Sequence, residues 1–148
     1  MSDMEAIAEK LGECAERRRL AEMIHAAQIQ SLLPLGSVVR LRLGRADVTG
    51  VVTDNTNWGG GTEVRVRNVK TGIVRKFSAC TYGLRGVSIV SVPPKVNLEW
   101  DAWCVEFKRL LSHYYHDADQ VEVNDYRWMF DQGKSPLEGY ISELEDEL

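Results

Sequence analysis

Gly36-Ser37-Val38-Val39-Arg40-Leu41-Arg42-Leu43-Gly44-Arg45-Ala46-Asp47-Val48-Thr49-Gly50-Val51-Val52 is the stretch on which the fold turns. Apolar residues at Val39, Leu41 and Leu43 alternate with arginines, which is the period of a half-buried strand. Gly44-Arg45-Ala46-Asp47 supplies a tight turn, and Val48 to Thr53 returns as a second strand with a bulge expected at Gly50. The same period continues downstream. Glu63-Val64-Arg65-Val66-Arg67 alternates, Asn68 to Gly72 is turn chemistry, and Ile73 to Phe77 reads as the hairpin partner. Val87 to Val92 is a fifth strand, stopped by Pro93-Pro94. Five short strands are too few for a sandwich; they suit a small, strongly bent barrel closed on itself, which removes exposed edges.

This segment resembles an SH3-like barrel of the KOW or Tudor kind. The resemblance is carried by the opening Gly36-Ser37-Val38-Val39-Arg40-Leu41, the turn at Gly44, the return Thr49-Gly50-Val51-Val52, the hairpin at Thr71-Gly72, and Tyr82-Gly83-Leu84 where that family places a short turn before its last strand. It covers about 40% of the chain, and the glycine-rich loop from Asp54 to Thr62 departs from it. The resemblance implies a binding module for nucleic acid, ribosomes, polymerases or protein tails rather than an enzyme.

Both flanks read as helical. From Met4 to Leu33 there is no proline, and Met4, Ile7, Ala8, Leu11, Cys14 and Ala15, then Leu20, Met23, Ile24, Ala27 and Ile29, recur at helical spacing. Ser2 or Asp3 can cap the start, and Pro34 with Gly36 stops it. At 1.5 Å per residue such a helix reaches about 45 Å, more than a domain of this size needs for its own core. It either lies across the rest of the fold or pairs with a second copy as a homodimer. After the double proline, Asn97 is expected to cap a helix whose aromatic face comprises Trp100, Trp103, Cys104, Phe107, Leu110, Leu111 and Tyr114. Asn124 is expected to cap a short helix through Phe130 ending near Gly133, and Ser135-Pro136-Leu137-Glu138 is a capping box opening a final acidic helix. The expected fold class is therefore α+β. It has an N-terminal helix over residues 1–35, a five-stranded SH3-like antiparallel barrel over 36–94, and an acidic helical segment over 95–148 packed on that barrel.

Composition narrows the function. The 148 residues are 44% hydrophobic and 27% charged, near the globular average. No run approaches the roughly 18 apolar residues of a membrane span, and Met1-Ser2-Asp3-Met4-Glu5 has no signal-peptide character, so a soluble cytoplasmic protein with no membrane partner is expected. Cys14, Cys80 and Cys104 are far apart with no CxxC spacing, which argues against both a disulfide framework and a zinc site. The net charge of -4 conceals a division. Residues 1–35 carry four basic and six acidic side chains, residues 36–95 ten and three, and residues 96–148 four and thirteen, giving -2, +7 and -9. Such asymmetry marks an interaction surface, or two parts that face each other.

The chemistry follows from that division. Alternation that buries Val39, Leu41, Leu43, Val64 and Val66 sends Arg40, Arg42, Arg65 and Arg67 to the opposite face, which Arg75 or Lys76 can join. Guanidinium forks bind phosphate oxygens in pairs, so the set suits a nucleic acid held by its backbone. A solvated face, neutralisation by the chain's own acidic segment, or an acidic protein partner are the competing explanations. Trp58, beside Gly59-Gly60-Gly61, offers a ring on which a base can stack, or folds back on the barrel. His113 and His116 are spaced for a metal but equally suit a helix terminus, and no metal site or cofactor is expected. No nucleophile elbow or catalytic pair stands out, so a non-enzymatic module is expected. The alternative function is a protein-interaction adaptor or small inhibitor, of the kind a virus or mobile element encodes, acting through the acidic C-terminal helices.

Overall fold

A computed structural model describes residues 2–43, 45–55, 63–78 and 86–148; for Leu43, Phe77 and Ser78 it describes the backbone. The chain is α+β: a long helix, an antiparallel sheet, and a cluster of helices.

Helix α1 spans Asp3–Leu32. Its start is a capping box: Ser2 Oγ accepts from the Glu5 amide and Glu5 Oε2 accepts from the Ser2 amide, both at 3.2 Å. Its apolar residues do not form one stripe. At 100° per residue, Met4, Ile7, Ala8, Leu11, Cys14 and Ala15 share an arc of about 120°, whereas Leu20, Met23, Ile24 and Ala27 centre about 170° away. Only the second group is buried with the C-terminal helices; Ile29 and Leu33 then turn back toward the sheet. One helix thus serves two cores.

The strands are β1 (Val38–Leu43), β2 (Ala46–Asp54), β3 (Glu63–Asn68), β4 (Val74–Ser78) and β5 (Val87–Ser91), in the order β4-β3-β2-β1-β5. Every pairing is antiparallel. Among the described residues β4 and β5 are the two edges and do not pair, so the sheet is open, and the expected closed barrel is corrected to that extent. The inner face buries Val39, Leu41, Val52, Val64 and Val66 under Ile29 of α1 and Leu33 at its C-cap. An amphipathic helix end covering a sheet face removes the need for closure to bury that face. The ladder irregularity in β2 falls between Val52 and Asp54, not at Gly50. Gly50 serves another purpose: a Cβ there would stand 2.9 Å from the Arg67 carbonyl oxygen, so its bare backbone lets β3 approach. The β3–β4 turn is built as its composition suggests. Asn68 Oδ1 accepts from the Lys70 amide at 2.8 Å, and Gly72 takes a φ of +74°. Where α1 meets the sheet, buried Asn55 donates to the Leu33 carbonyl at 2.8 Å and Ser37 Oγ to the Pro34 carbonyl at 2.6 Å.

After the extended stretch 92–99 come α2 (Trp100–Leu111), two 3-10 turns (Ala118–Gln120 and Val123–Tyr126), α3 (Arg127–Asp131) and α4 (Pro136–Glu147). Helix α2 begins after Glu99 with no side-chain cap, so Asn97 is not its cap, and Glu122 rather than Asn124 accepts at the turn preceding α3. The box at Ser135 forms as expected: Ser135 Oγ accepts from the Glu138 amide at 3.1 Å, and Glu138 Oε1 from the Ser135 amide at 3.3 Å. The core here is aromatic. Trp103 stacks on Phe107 at 4.9 Å between centroids, and its buried Nε1 donates to the Lys134 carbonyl at 2.8 Å. Tyr140, Leu144, Met129, Leu110 and Leu111 complete it with Leu20, Met23, Ile24 and Ala27 of α1. Among the described residues the C-terminal helices pack on α1 and on one another, and their core shares no buried residue with that of the sheet. The middle of α1 offers them an apolar face, whereas the sheet's outer surface carries charge.

Candidate anion-binding face

Strand alternation and register place the candidate residues. In β1, Val39 and Leu41 are buried, so Arg40 and Arg42 are exposed on the outer face, opposite Thr49 and Asp47 of β2. In β3, Val64 and Val66 are buried and Arg65 and Arg67 point the same outer way. Lys76 is paired with Arg65 and joins them. Arg75 does not: its partner in register is Val66, so alternation sends it to the other side of the edge strand. Trp58 lies outside the described residues, as do the triple glycine and the Tyr82-Gly83-Leu84 turn.

The two ends of this face differ electrostatically. At the β3–β4 end, Glu63 lies between Arg65 Nε at 3.7 Å and Lys76 Nζ at 3.6 Å, and its Oε1 is buried with no hydrogen bond. That carboxylate partly offsets both cations. At the β1–β5 end, a shallow depression of about 350 Å³ is lined by Arg40, Arg42, Asp47, Gly86, Val87 and Ser88. Arg40 is paired with Ser88, and the Arg42 amide donates to the Gly86 carbonyl at 3.0 Å. Two guanidinium groups and a hydroxyl around one hollow suit an oxyanion, although the Asp47 carboxylate opposite Arg42 offsets part of their charge. No local pattern in the sequence marks Gly86 or Ser88. They reach the site only because β5 pairs with β1 across more than forty residues, which no local pattern signals.

The acidic half lies elsewhere. Tyr115 donates to Glu147 Oε1 at 2.9 Å, Tyr126 to Glu143 Oε1 at 3.1 Å and Tyr114 to Glu16 Oε1 at 3.2 Å, while Gln28 donates to Glu145 Oε1 at 3.5 Å. Burial, assisted by the Glu143 charge and hydrogen bond, pushes the Tyr126 hydroxyl up to about 12. Burial likewise raises the Glu143 carboxyl, against the opposing hydrogen bond from Tyr126. Arg65 and Lys76 pair with Glu63 of the same sheet, and among the described residues no ion pair joins an outer-face cation to a C-terminal carboxylate. Lys95 instead bridges the two halves: its Nζ meets Glu138 Oε1 at 2.6 Å and donates to the Gly133 carbonyl at 2.7 Å.

Neither His113 nor His116 forms part of a cluster; among the described residues no three His, Cys, Asp or Glu side chains gather at a metal-binding distance. No described helix is long and apolar enough to cross a membrane. No family model matches the chain, and neither a curated protein nor a solved structure is significantly similar to it.

Proposed function

We propose that this protein is a non-catalytic, cytoplasmic module that binds a polyanion, a nucleic acid held by its phosphate backbone, on the outer face of the sheet. The observation that carries the proposal is the shared exposure of Arg40, Arg42, Arg65, Arg67 and Lys76 on one face, while the carboxylate-rich helices pack against α1. Meandering strands β1 to β4 with β5 returned beside β1 support reading the sheet as an SH3-like module of the KOW or Tudor kind. Fluorescence anisotropy with a labelled mixed-sequence oligonucleotide tests the proposal. Binding at 50 mM salt is expected to weaken about 100-fold at 200 mM if four phosphates are neutralised. Changing Arg40, Arg42, Arg65 and Arg67 to Gln is expected to abolish it, and absence of binding at 50 mM rejects the proposal.

A second function is favoured by one specific observation. Glu16, Glu143 and Glu147 are each held by a tyrosine hydroxyl, giving the helical half carboxylates in fixed positions. Fixed negative charges of this kind suit an adaptor or inhibitor that occupies a basic groove on another protein. Its partner is expected to be lost when Glu143, Glu145 and Glu147 are changed to Lys; an unchanged partner rejects it.

A further inference from the structure

Among the described residues, the first half of α1 touches the rest of the fold only at its far end, through Glu16 and Arg19. Residues 3–19 extend about 25 Å at 1.5 Å per residue, and all except the half-buried Ala6 are exposed. Met4, Ile7 and Leu11 are 75%, 53% and 65% exposed, yet they align with Ala8, Cys14 and Ala15 along one side. That side points away from the helical half, because Leu20, Met23, Ile24 and Ala27 bury the opposite side of the same helix, and the sheet covers the ridge's side only farther along, at Ile29 and Leu33. Glu16 and Arg19, which do touch the body at Tyr114, also lie off the stripe. An apolar ridge this long on a helix that is polar elsewhere is a pairing surface.

Charge along the segment selects the partner and its direction. The N-terminal end carries Asp3, Glu5 and Glu9, and the other end carries Arg17 and Arg18, neither of which is in an ion pair among the described residues. Arg18 falls in line with the apolar ridge, seven residues after Leu11 and fourteen after Met4. A parallel pair would set Arg18 against its own copy inside the seam, where like charges repel. Reversing one helix instead brings the basic end of each copy beside the acidic end of the other. With Met4 opposite the second copy's Cys14 and Ile7 opposite its Leu11, the flanking Asp3 comes beside the second copy's Arg17 at both ends.

We infer that two copies of this chain associate through the exposed half of α1 as an antiparallel helix pair, with Met4, Ile7, Leu11 and Cys14 in the seam and Asp3 flanked by Arg17. Such a pair buries roughly 500 Å² per copy, at the low end for specific interfaces, so association is expected in the micromolar range. The pair places the two bodies at opposite ends of the shared helices. This inference stands independently of what the sheet binds.

Two experiments on the full chain test it. Light scattering from about 5 to about 500 µM is expected to rise from the 16.7 kDa monomer toward twice that mass. Leu11→Glu, at a position that touches nothing in the body, is expected to hold the mass at the monomer with an unchanged circular dichroism spectrum. A monomer at every concentration, or a Leu11→Glu protein that still doubles its mass, overturns the inference. The direction is read by disulfide trapping under mild oxidation with peptide mapping. Met4→Cys is expected to give a dimer whose bridge joins residue 4 of one copy to Cys14 of the other, while the unaltered chain gives little Cys14–Cys14 product. A dominant Cys14–Cys14 bridge in the unaltered chain overturns the antiparallel arrangement.

Discussion

The two halves of this protein solve the same burial problem with different materials. The sheet's inner face is closed by small β-branched and aliphatic groups, Val39, Leu41, Val52, Val64 and Val66, under Ile29 and Leu33. The helical half is closed by rings, with Trp100, Trp103, Phe107, Tyr126, Phe130 and Tyr140 packed among Met129, Leu110, Leu111 and Leu144. Their charges differ in a parallel way. The cations of the sheet stand exposed on its outer face, whereas several carboxylates of the helices are held by hydroxyl groups. The larger buried side chains thus lie in the aromatic half, and the half with the thinner core carries the more open charge.

The largest test of that contrast is Trp103→Ala. It removes the stacked ring and strands the Lys134 carbonyl, and is expected to cost about 3–5 kcal/mol in urea unfolding, while Val52→Ala in the sheet costs about 2. Equal losses would break the contrast. Alkaline pH probes the same half without mutation. Burial pushes Tyr140 up to about 12, against an opposing effect of Arg19, so the folded chain holds that proton where the unfolded chain has lost it. Stability is therefore full below pH 10 and declines as pH rises through 12. Two pKa units correspond to about 3 kcal/mol, and tryptophan fluorescence should report the loss. Tyr140→Phe should remove only part of this dependence, because burial raises the Tyr126 hydroxyl in the same direction.

Within the sheet, Gly50→Val forces a side chain toward the Arg67 carbonyl and is expected to cost about 1–3 kcal/mol, with protection of β2 and β3 amides from exchange reduced before that of α2. The smallest effect is expected from Ser135→Ala, which removes one half of the α4 capping box for about 1 kcal/mol in the same unfolding measurement. Its pH dependence sharpens the point. Burial alone would raise Glu138, but hydrogen bonds to Lys95 and Ser135 outweigh it and hold the carboxyl low. That contribution is present above the ordinary glutamate range and is lost as pH falls through the lowered value, so Ser135→Ala should lessen acid sensitivity.

Local chemistry in the sequence determined a good deal. Alternation at Val39 to Leu43 and Val64 to Arg67 determined the strands and which face carries each arginine, because successive strand side chains must point opposite ways. Ser2 with Glu5, and Ser135-Pro136 with Glu138, determined two helix starts, because a capping box needs only residues three apart. Tertiary structure alone decided the rest. It set the open edges at β4 and β5, moved Arg75 off the face through its pairing with Val66, and brought Gly86 and Ser88 beside Arg40 and Arg42. It also decided that the acidic helices rest on α1. The sequence shows a charge of +7 beside one of -9 but not whether they meet, since that depends on which apolar faces match across long separations. Here α4 found the middle of α1 and the aromatic face of α2 closed on α4, and the arginine face was left open.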